Sequence, residues 1–236
     1  RLAKSFMCIA KETKPVAGVP TPDGGRFEFD ERSMLACAWG RPSEAFGPMY
    51  SRFDAPGRVP RLPGPPYLFV SRATTTTGEI GGMEVGSTVE IEYDIPPDAW
   101  YLNENGSRSV PYAVILEAAL QPCGWLASYI GSALTVDEEV CFRNLDGTAT
   151  LEEEFFEDAG TLRTAVTLTN VSQSAGMIIV SFDVECFLAG ESGERRVYVM
   201  DTVFGFFPPE ALSLENQIGQ PTTDVQHAQL TEMGNY

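Results

Sequence analysis

A carboxylate and an amide, Glu117 and Gln121, interrupt the longest apolar stretch with helical character, residues 111–131, which reads PYAVILEAALQPCGWLASYIG. Four residues apart on a helix, they share one face, one turn from each other. A carboxylate inside an apolar helix costs several kcal/mol unless it is paired or changes its protonation equilibrium. Such a group can serve as a general acid or base, which makes Glu117 the first candidate for chemistry. The plainer alternative is a glutamate at the helix edge bonded to a backbone N–H. Both readings stay open on the residues alone.

Other chemistries find few residues to use. The single histidine, His227, lies in a polar C-terminal tail, so a Ser-His-Asp set, a Cys-His set or a zinc site within this chain is not expected. The five cysteines (Cys8, Cys37, Cys123, Cys141, Cys186) are odd in number, widely spaced and free of any CxxC pair. They read as reduced, buried thiols of a cytoplasmic protein, Cys123 included. Gly24-Gly25 and Gly81-Gly82 lack the spacing and following helix of a phosphate loop. A formal net charge of −17 argues against nucleic acid or an anionic membrane surface as partner. No run of about 20 apolar residues is flanked as a spanning helix would be, and Arg1–Lys14 has no leader pattern. The chain starts without Met, which suggests a piece of a larger protein.

The elements that must position Glu117 are legible in outline. Residues 111–131 are apolar on nearly every face, so the helix is expected to be buried on most sides, with Pro111 at its entry. Before it, residues 1–29 contain KPVAGVPTPDGGR and read as a linker. Residues 30–40 begin like a capped helix, with Asp30 or Ser33 as cap. FGPMYSRFD, within 44–54, is an aromatic-rich loop or short helix. Tyr67–Val70 and the threonines after it read as a buried strand, and Ser87–Asp94 (STVEIEYD) alternates as a half-buried strand. Residues 95–111 read as a loop turning at Asn105-Gly106. After Gly131 come strands at 140–144, 148–157, 162–171, 177–188 and 195–207, joined by connections short enough for an antiparallel meander. Residues 30–210 are therefore one folded domain of α+β class, an antiparallel β-sheet wrapped around one long central helix. Residues 211–236 are a tail or linker. Such a sheet leaves a strand edge free, which favours pairing with a second copy or a second repeat.

With these residues in place, the chain resembles the hot-dog fold, and within it the 3-hydroxyacyl-carrier-protein dehydratases of fatty-acid synthesis. The family helix carries E-A-x-x-Q-x-x-G, here Glu117, Ala118, Gln121 and Gly124, with a proline six residues before the acid at Pro111. The lead-in LPGPPYLFVSRAT, residues 62–74, resembles the family's opening strand LPxPxxLxxDRV, with Ser71 where the pattern has Asp. The wording of both blocks is similar to the dehydratase-type regions of polyunsaturated fatty acid synthases, which are large polyketide-synthase-like enzymes. The resemblance spans about residues 40–208.

The resemblance implies loss of water from a 3-hydroxyacyl thioester, with or without double-bond isomerisation. The substrate is carried on the phosphopantetheine arm of acyl carrier protein, and no metal or further cofactor is needed. It implies Glu117 as acid and Gln121 as its support. It also implies Pro111, Gly124, Trp100 and Tyr101 as substrate-contacting residues, the amide of Gly124 or of a neighbour binding the thioester carbonyl at the positive end of a helix. Arg58, Arg61 and Arg72 could meet the phosphate of the carrier arm, or serve only solubility. One departure matters. Family members carry a catalytic histidine fourteen residues before the acid, and here that residue is Asn103, which takes up no proton at neutral pH. In the family one site draws its histidine and acid from two hot-dog units. Glu117 is then half of a site completed by a histidine from a second unit that follows in cis, or this unit is a non-catalytic partner that shapes an acyl tunnel and buries the sheet edge. The expected partners are acyl carrier protein and a second hot-dog unit, in cis or as a homodimer. Asp98 or Tyr101 in place of the histidine, a plain turn role for Asn103, and a hot-dog thioesterase that uses Glu117 to activate water are the remaining alternatives.

Overall fold

The computed structural model describes residues 14–54, 61–132, 134–135, 140–174, 176–190 and 193–208. The expected tail over 211–236, His227, Cys8 and Arg58 lie outside them. The long helix α4, Tyr112–Ile130, forms where the apolar run predicts it, with Pro111 as N-cap and Gly131 as C-cap. It is preceded by α1 (Glu31–Trp39), α2 (Pro42–Phe46), a 3-10 turn (Pro48–Phe53) and the four-residue α3 (Trp100–Asn103). The Asp30 side chain caps α1 by accepting the Ser33 N–H.

Two short strands near the N-terminus, β1 (Gly18–Pro20) and β2 (Arg26–Glu28), pair with each other. The main sheet has six antiparallel strands in the order β3-β4-β6-β7-β8-β5. These are β3 (Arg72–Thr76), β4 (Thr88–Asp94), β5 (Cys141–Leu151), β6 (Thr161–Ser174), β7 (Met177–Gly190) and β8 (Gly193–Phe207). β6, β7 and β8 form the meander, and β5 reaches the far edge after α4 has crossed the sheet. One helix laid across an antiparallel sheet of this order is the hot-dog arrangement that the resemblance implies.

Alternation decides which face of the sheet holds the helix. Ile178, Val180, Phe182, Val184, Cys186 and Leu188 of β7 are buried, while Asp183 and Glu185 point the other way. α4 lies on the apolar face against β4, β6 and β7. The sheet covers only that side of the helix. The opposite side is covered by the segment before β3, where Phe29 meets Trp125 edge-on at 4.9 Å and Phe46 packs on Trp125 at 5.6 Å. The Tyr50 hydroxyl donates to the Tyr129 carbonyl.

Four expectations are corrected. The described part of residues 1–29 belongs to the folded body. TPDG, expected as linker, turns the β1–β2 hairpin, with the Gly24 N–H donating to the Thr21 carbonyl at 2.9 Å. Its base is tied to β3, since Ala17 N–H donates to the Ala73 carbonyl (2.8 Å) and Ala73 N–H to the Phe29 carbonyl (3.0 Å). Phe29 is fully buried, and side chains of its kind stabilise by about 1.5–3 kcal/mol. Tyr67–Val70 is not a strand, because a side chain of α4 takes the place of a neighbouring strand there. The 95–111 loop holds α3. Finally, the strands expected at 140–144 and 148–157 are one strand, β5, continuous through a register shift between Asn144 and Asp146 and ending at Leu151.

The end of α4 depends on close backbone contact. Gly131 has φ +124°, and a Cβ there would lie 2.6 Å from the Gly81 Cα. The 81–83 turn crosses the helix end here and donates Met83 N–H to the Ile130 carbonyl. Gly131→Ala is therefore expected to destabilise the chain by roughly 2–3 kcal/mol, from the left-handed backbone and the backbone clash together. Urea unfolding followed by circular dichroism measures it.

Candidate functional site

One stripe of α4 faces neither the strands β4, β6 and β7 nor the N-terminal cover, but looks toward β5 and β8. It carries Glu117, Leu120, Gln121 and, one turn on, Gly124. Gln121 is 2% exposed and fully engaged. Its Oε1 accepts the Phe69 N–H at 2.7 Å, and its Nε2 donates to the Tyr67 carbonyl at 2.7 Å and to Glu117 Oε1 at 3.0 Å. A backbone N–H on one side and a carbonyl on the other fix the amide's orientation, since a flipped amide would face donor with donor. The side chain thus acts on residues 67–69 as a neighbouring strand would.

Glu117 is half-buried. Gln121 holds its Oε1, while among the described residues its Oε2 has no hydrogen-bond partner and its carboxylate no ion pair. It opens into a groove of about 380 Å³. The far wall consists of Phe142, Arg143, Asn144 and Phe204, and Arg61, Leu62 and Pro63 complete the lining. Phe142–Asn144 and Phe204 reach one place because β5 pairs with β8, Asn144 opposite Phe204. No local pattern in the sequence marks these strand residues as site residues. Leu62 and Pro63 lie in the proline-rich lead-in, which did mark them.

The other expected site residues divide. Pro111 caps α4, its carbonyl accepting from Val114 and Ile115. Trp100 and Tyr101 pack on the outside of the segment that Gln121 holds from within. Trp100 Nε1 donates to the Pro66 carbonyl at 3.2 Å, and the Tyr101 ring lies 6.0 Å from Phe69. The Tyr101 hydroxyl pairs with that of Tyr93 at 3.1 Å, and burial pushes both phenols up. Neither Trp100 nor Tyr101 lines the groove. Asn103 is exposed at the end of α3, where its Nδ2 donates to the Asp98 carbonyl at 3.3 Å. It closes α3, so the plain turn role expected of it is corrected, and it does not line the groove that Glu117 opens into.

The role expected of the Gly124 amide is corrected. Gly124 lies in the middle of α4, where its amide is part of the helical ladder, and the positive end of the helix is near Tyr112. Arg72 is committed to Glu92 (3.0 Å) and Asp94 on the sheet. Arg61 donates to the Gly40 carbonyl at 2.7 Å and keeps its place at the groove. Burial pushes the thiols of Cys37 and Cys186 up to about 12 and that of Cys123 well above the ordinary thiol range, so none of the three is a nucleophile at neutral pH. Among the described residues no group of three His, Cys, Asp or Glu assembles as a metal site.

No family model matches the chain. It is similar to a polyunsaturated fatty acid synthase polypeptide of Thraustochytrium sp., 28% identical over 229 residues, which covers 89% of this chain and 15% of that protein. The chain thus spans about one seventh of the length of this relative. The likeness to a polyunsaturated fatty acid synthase, read first from Glu117, Gln121 and residues 62–74, extends over most of the chain. Among solved structures it is similar to the dehydratase heterocomplex ApeI:P from Xenorhabdus doucetiae, at TM-score 0.46 and 13% identity, covering 66% of this chain and 92% of that one. It is also similar to a thioesterase family protein from Silicibacter pomeroyi, at TM-score 0.42 and 10% identity, covering 58% and 84%. These two are similarities of outline at low identity; the fold itself stands on the strand order and the helix given above.

Two outcomes follow from the site's construction. Gln121→Leu strands the Phe69 N–H and the Tyr67 carbonyl in the interior, and is expected to cost roughly 2–4 kcal/mol in urea unfolding. At pH 8 the native chain should leave Cys37, Cys123 and Cys186 unmodified by an aromatic disulfide reagent, because each thiol stays protonated until far higher pH. Peptide mass mapping before and after unfolding reads this directly.

Proposed function

We propose that this chain is a dehydratase-type hot-dog unit acting on 3-hydroxyacyl thioesters carried by acyl carrier protein in polyunsaturated fatty acid synthesis, and that it contributes the acid to a composite site. The observation that carries the proposal is the Glu117 carboxyl, aimed by Gln121 into an apolar-walled groove with one oxygen left for a ligand. The other polar side chains lining that groove are Arg61, Gln121, Arg143 and Asn144. None of these accepts a proton at neutral pH. Beside Glu117 the groove therefore holds, among the described residues, no second group to share the proton transfers.

Dehydration needs an acid and a base. A base takes the α-proton, the electron pair forms the double bond, and the hydroxyl at C3 leaves as water with a proton from the Glu117 carboxyl. The base comes from a second hot-dog unit of different sequence, in cis, and Asn103 is the residue at which this chain, and so any second copy of it, departs from supplying one. Supporting the assignment are the half-buried acid, its orientation through a saturated amide, and the similarity to a polyunsaturated fatty acid synthase.

The test joins this chain to a hot-dog unit that carries a histidine base and has its own helix acid replaced by glutamine. Dehydration of a 3-hydroxyacyl pantetheine thioester is followed by mass spectrometry. The joined protein should form enoyl product, and Glu117→Gln in this chain should lower its rate by about 10²–10⁴-fold with an unchanged melting temperature. Activity that survives Glu117→Gln would make this unit a scaffold, and free acid as the product would make it a thioesterase.

A further inference from the structure

The groove has a built end. Along the groove-facing stripe of α4 the residues at successive turns are Glu117, Leu120 with Gln121, and Gly124. The first three line the groove and Gly124 does not. Two side chains from outside the helix stand between. A Cβ placed on Gly124 would lie 3.4 Å from Leu62 Cδ2 and 3.4 Å from Phe142 Cε2. The missing side chain thus leaves a hollow in the helix surface that these two groups fill. The Phe142 ring is held in that hollow from behind, stacked on fully buried Phe206 at 5.8 Å with Phe204 beside it at 6.0 Å. One face of the Phe142 ring therefore borders open groove, its edge abuts Gly124, and its other face rests on the core.

Taking the groove as the acyl site, as above, we infer that Phe142, seated over Gly124, is the stop that sets how long an acyl chain the site takes. Glu117 and Gly124 are seven residues apart, which is roughly 10 Å along a helix at 1.5 Å per residue. An extended alkyl chain with bonds of about 1.5 Å advances on the order of 1.3 Å per bond. The stretch from the acid to the stop therefore holds about eight carbons. A longer chain has to displace the ring, and the stack on Phe206 resists that. The inference assigns to Gly124 a role different from binding the thioester: its lack of a side chain admits the ring.

The experiment uses binding, which needs no base. Saturated acyl pantetheine amides, in which a stable amide replaces the thioester, are titrated by calorimetry against the chain across lengths from four to sixteen carbons. Affinity for the wild type should climb roughly fourfold per methylene and level off at about ten carbons, because Glu117 faces C3 and the first two carbons lie before it. Phe142→Ala should move the break to longer chains and tighten the fourteen-carbon amide about tenfold or more, leaving the six-carbon amide within about threefold. Gly124→Ala, which presses a methyl against the ring, should move the break the other way. If Phe142→Ala does not fold, as a melting curve would show, Phe142→Leu and Gly124→Ala decide. A break that stays at one length in all variants overturns the stop while leaving the acyl site standing. Failure of the wild type to bind any member of the series overturns both.

Discussion

A buried amide must have every hydrogen bond satisfied, and Gln121 meets that demand in only one arrangement. Two of its three bonds go to backbone groups of Tyr67 and Phe69, which have no strand beside them. The third goes to Glu117. The same side chain therefore fixes the proline-rich segment against α4 and sets the direction of the carboxylate. Segment 67–69 in turn presents Phe69 and Tyr67 to the Trp100, Tyr101 and Tyr93 cluster. The groove, its acid and the aromatic wall behind it thus share one polar anchor inside an otherwise apolar layer.

The outer surface plays a different part. Arg163 bridges Glu90 and Glu194, and Arg196 bridges Glu152 and Glu185, across the polar face of the sheet. Exposed pairs of this kind contribute about 0–1 kcal/mol each. In a chain of net charge −17 their effect is to break up acidic rows that would otherwise repel, as Asp183 opposite Asp201 still does. Stability comes from the two apolar layers on either side of α4.

What could be read from the sequence was what depends on local order. α4 was legible because Ala, Leu and Ile persist for five turns, and the Glu117–Gln121 pair because four residues make one helical turn. The β6–β8 meander was legible because strands of alternating or β-branched residues are joined by short turns. Features that depend on distant segments meeting were not. Phe142 and Phe204 come from two strands more than sixty positions apart, and their pairing, not their type, places them at the groove. TPDG reads as a linker or as a turn according to whether Phe29 after it finds a hydrophobic slot, and Trp125 with Tyr129 provides one. Tyr67–Val70 has the composition of a strand but receives its hydrogen bonds from a side chain. Gly124 has the family's residue type, yet its position along α4, a three-dimensional fact, denies it a place at the helix terminus.

The hairpin base on β3 bears on how far this molecule can assemble. Ala17 and Phe29 already occupy the outward backbone groups of Ala73, in the middle of a strand of only five residues. β5, eleven residues long, is the other edge of the sheet and is paired on one side only. A body with two open edges is a polymerisable unit, because each added copy exposes a fresh edge. Among the described residues, the middle of β3 is occupied from within the chain, which leaves β5 as the longer open edge of the main sheet. Strand addition is thereby directed to one end of that sheet, which favours a pair over a fibre.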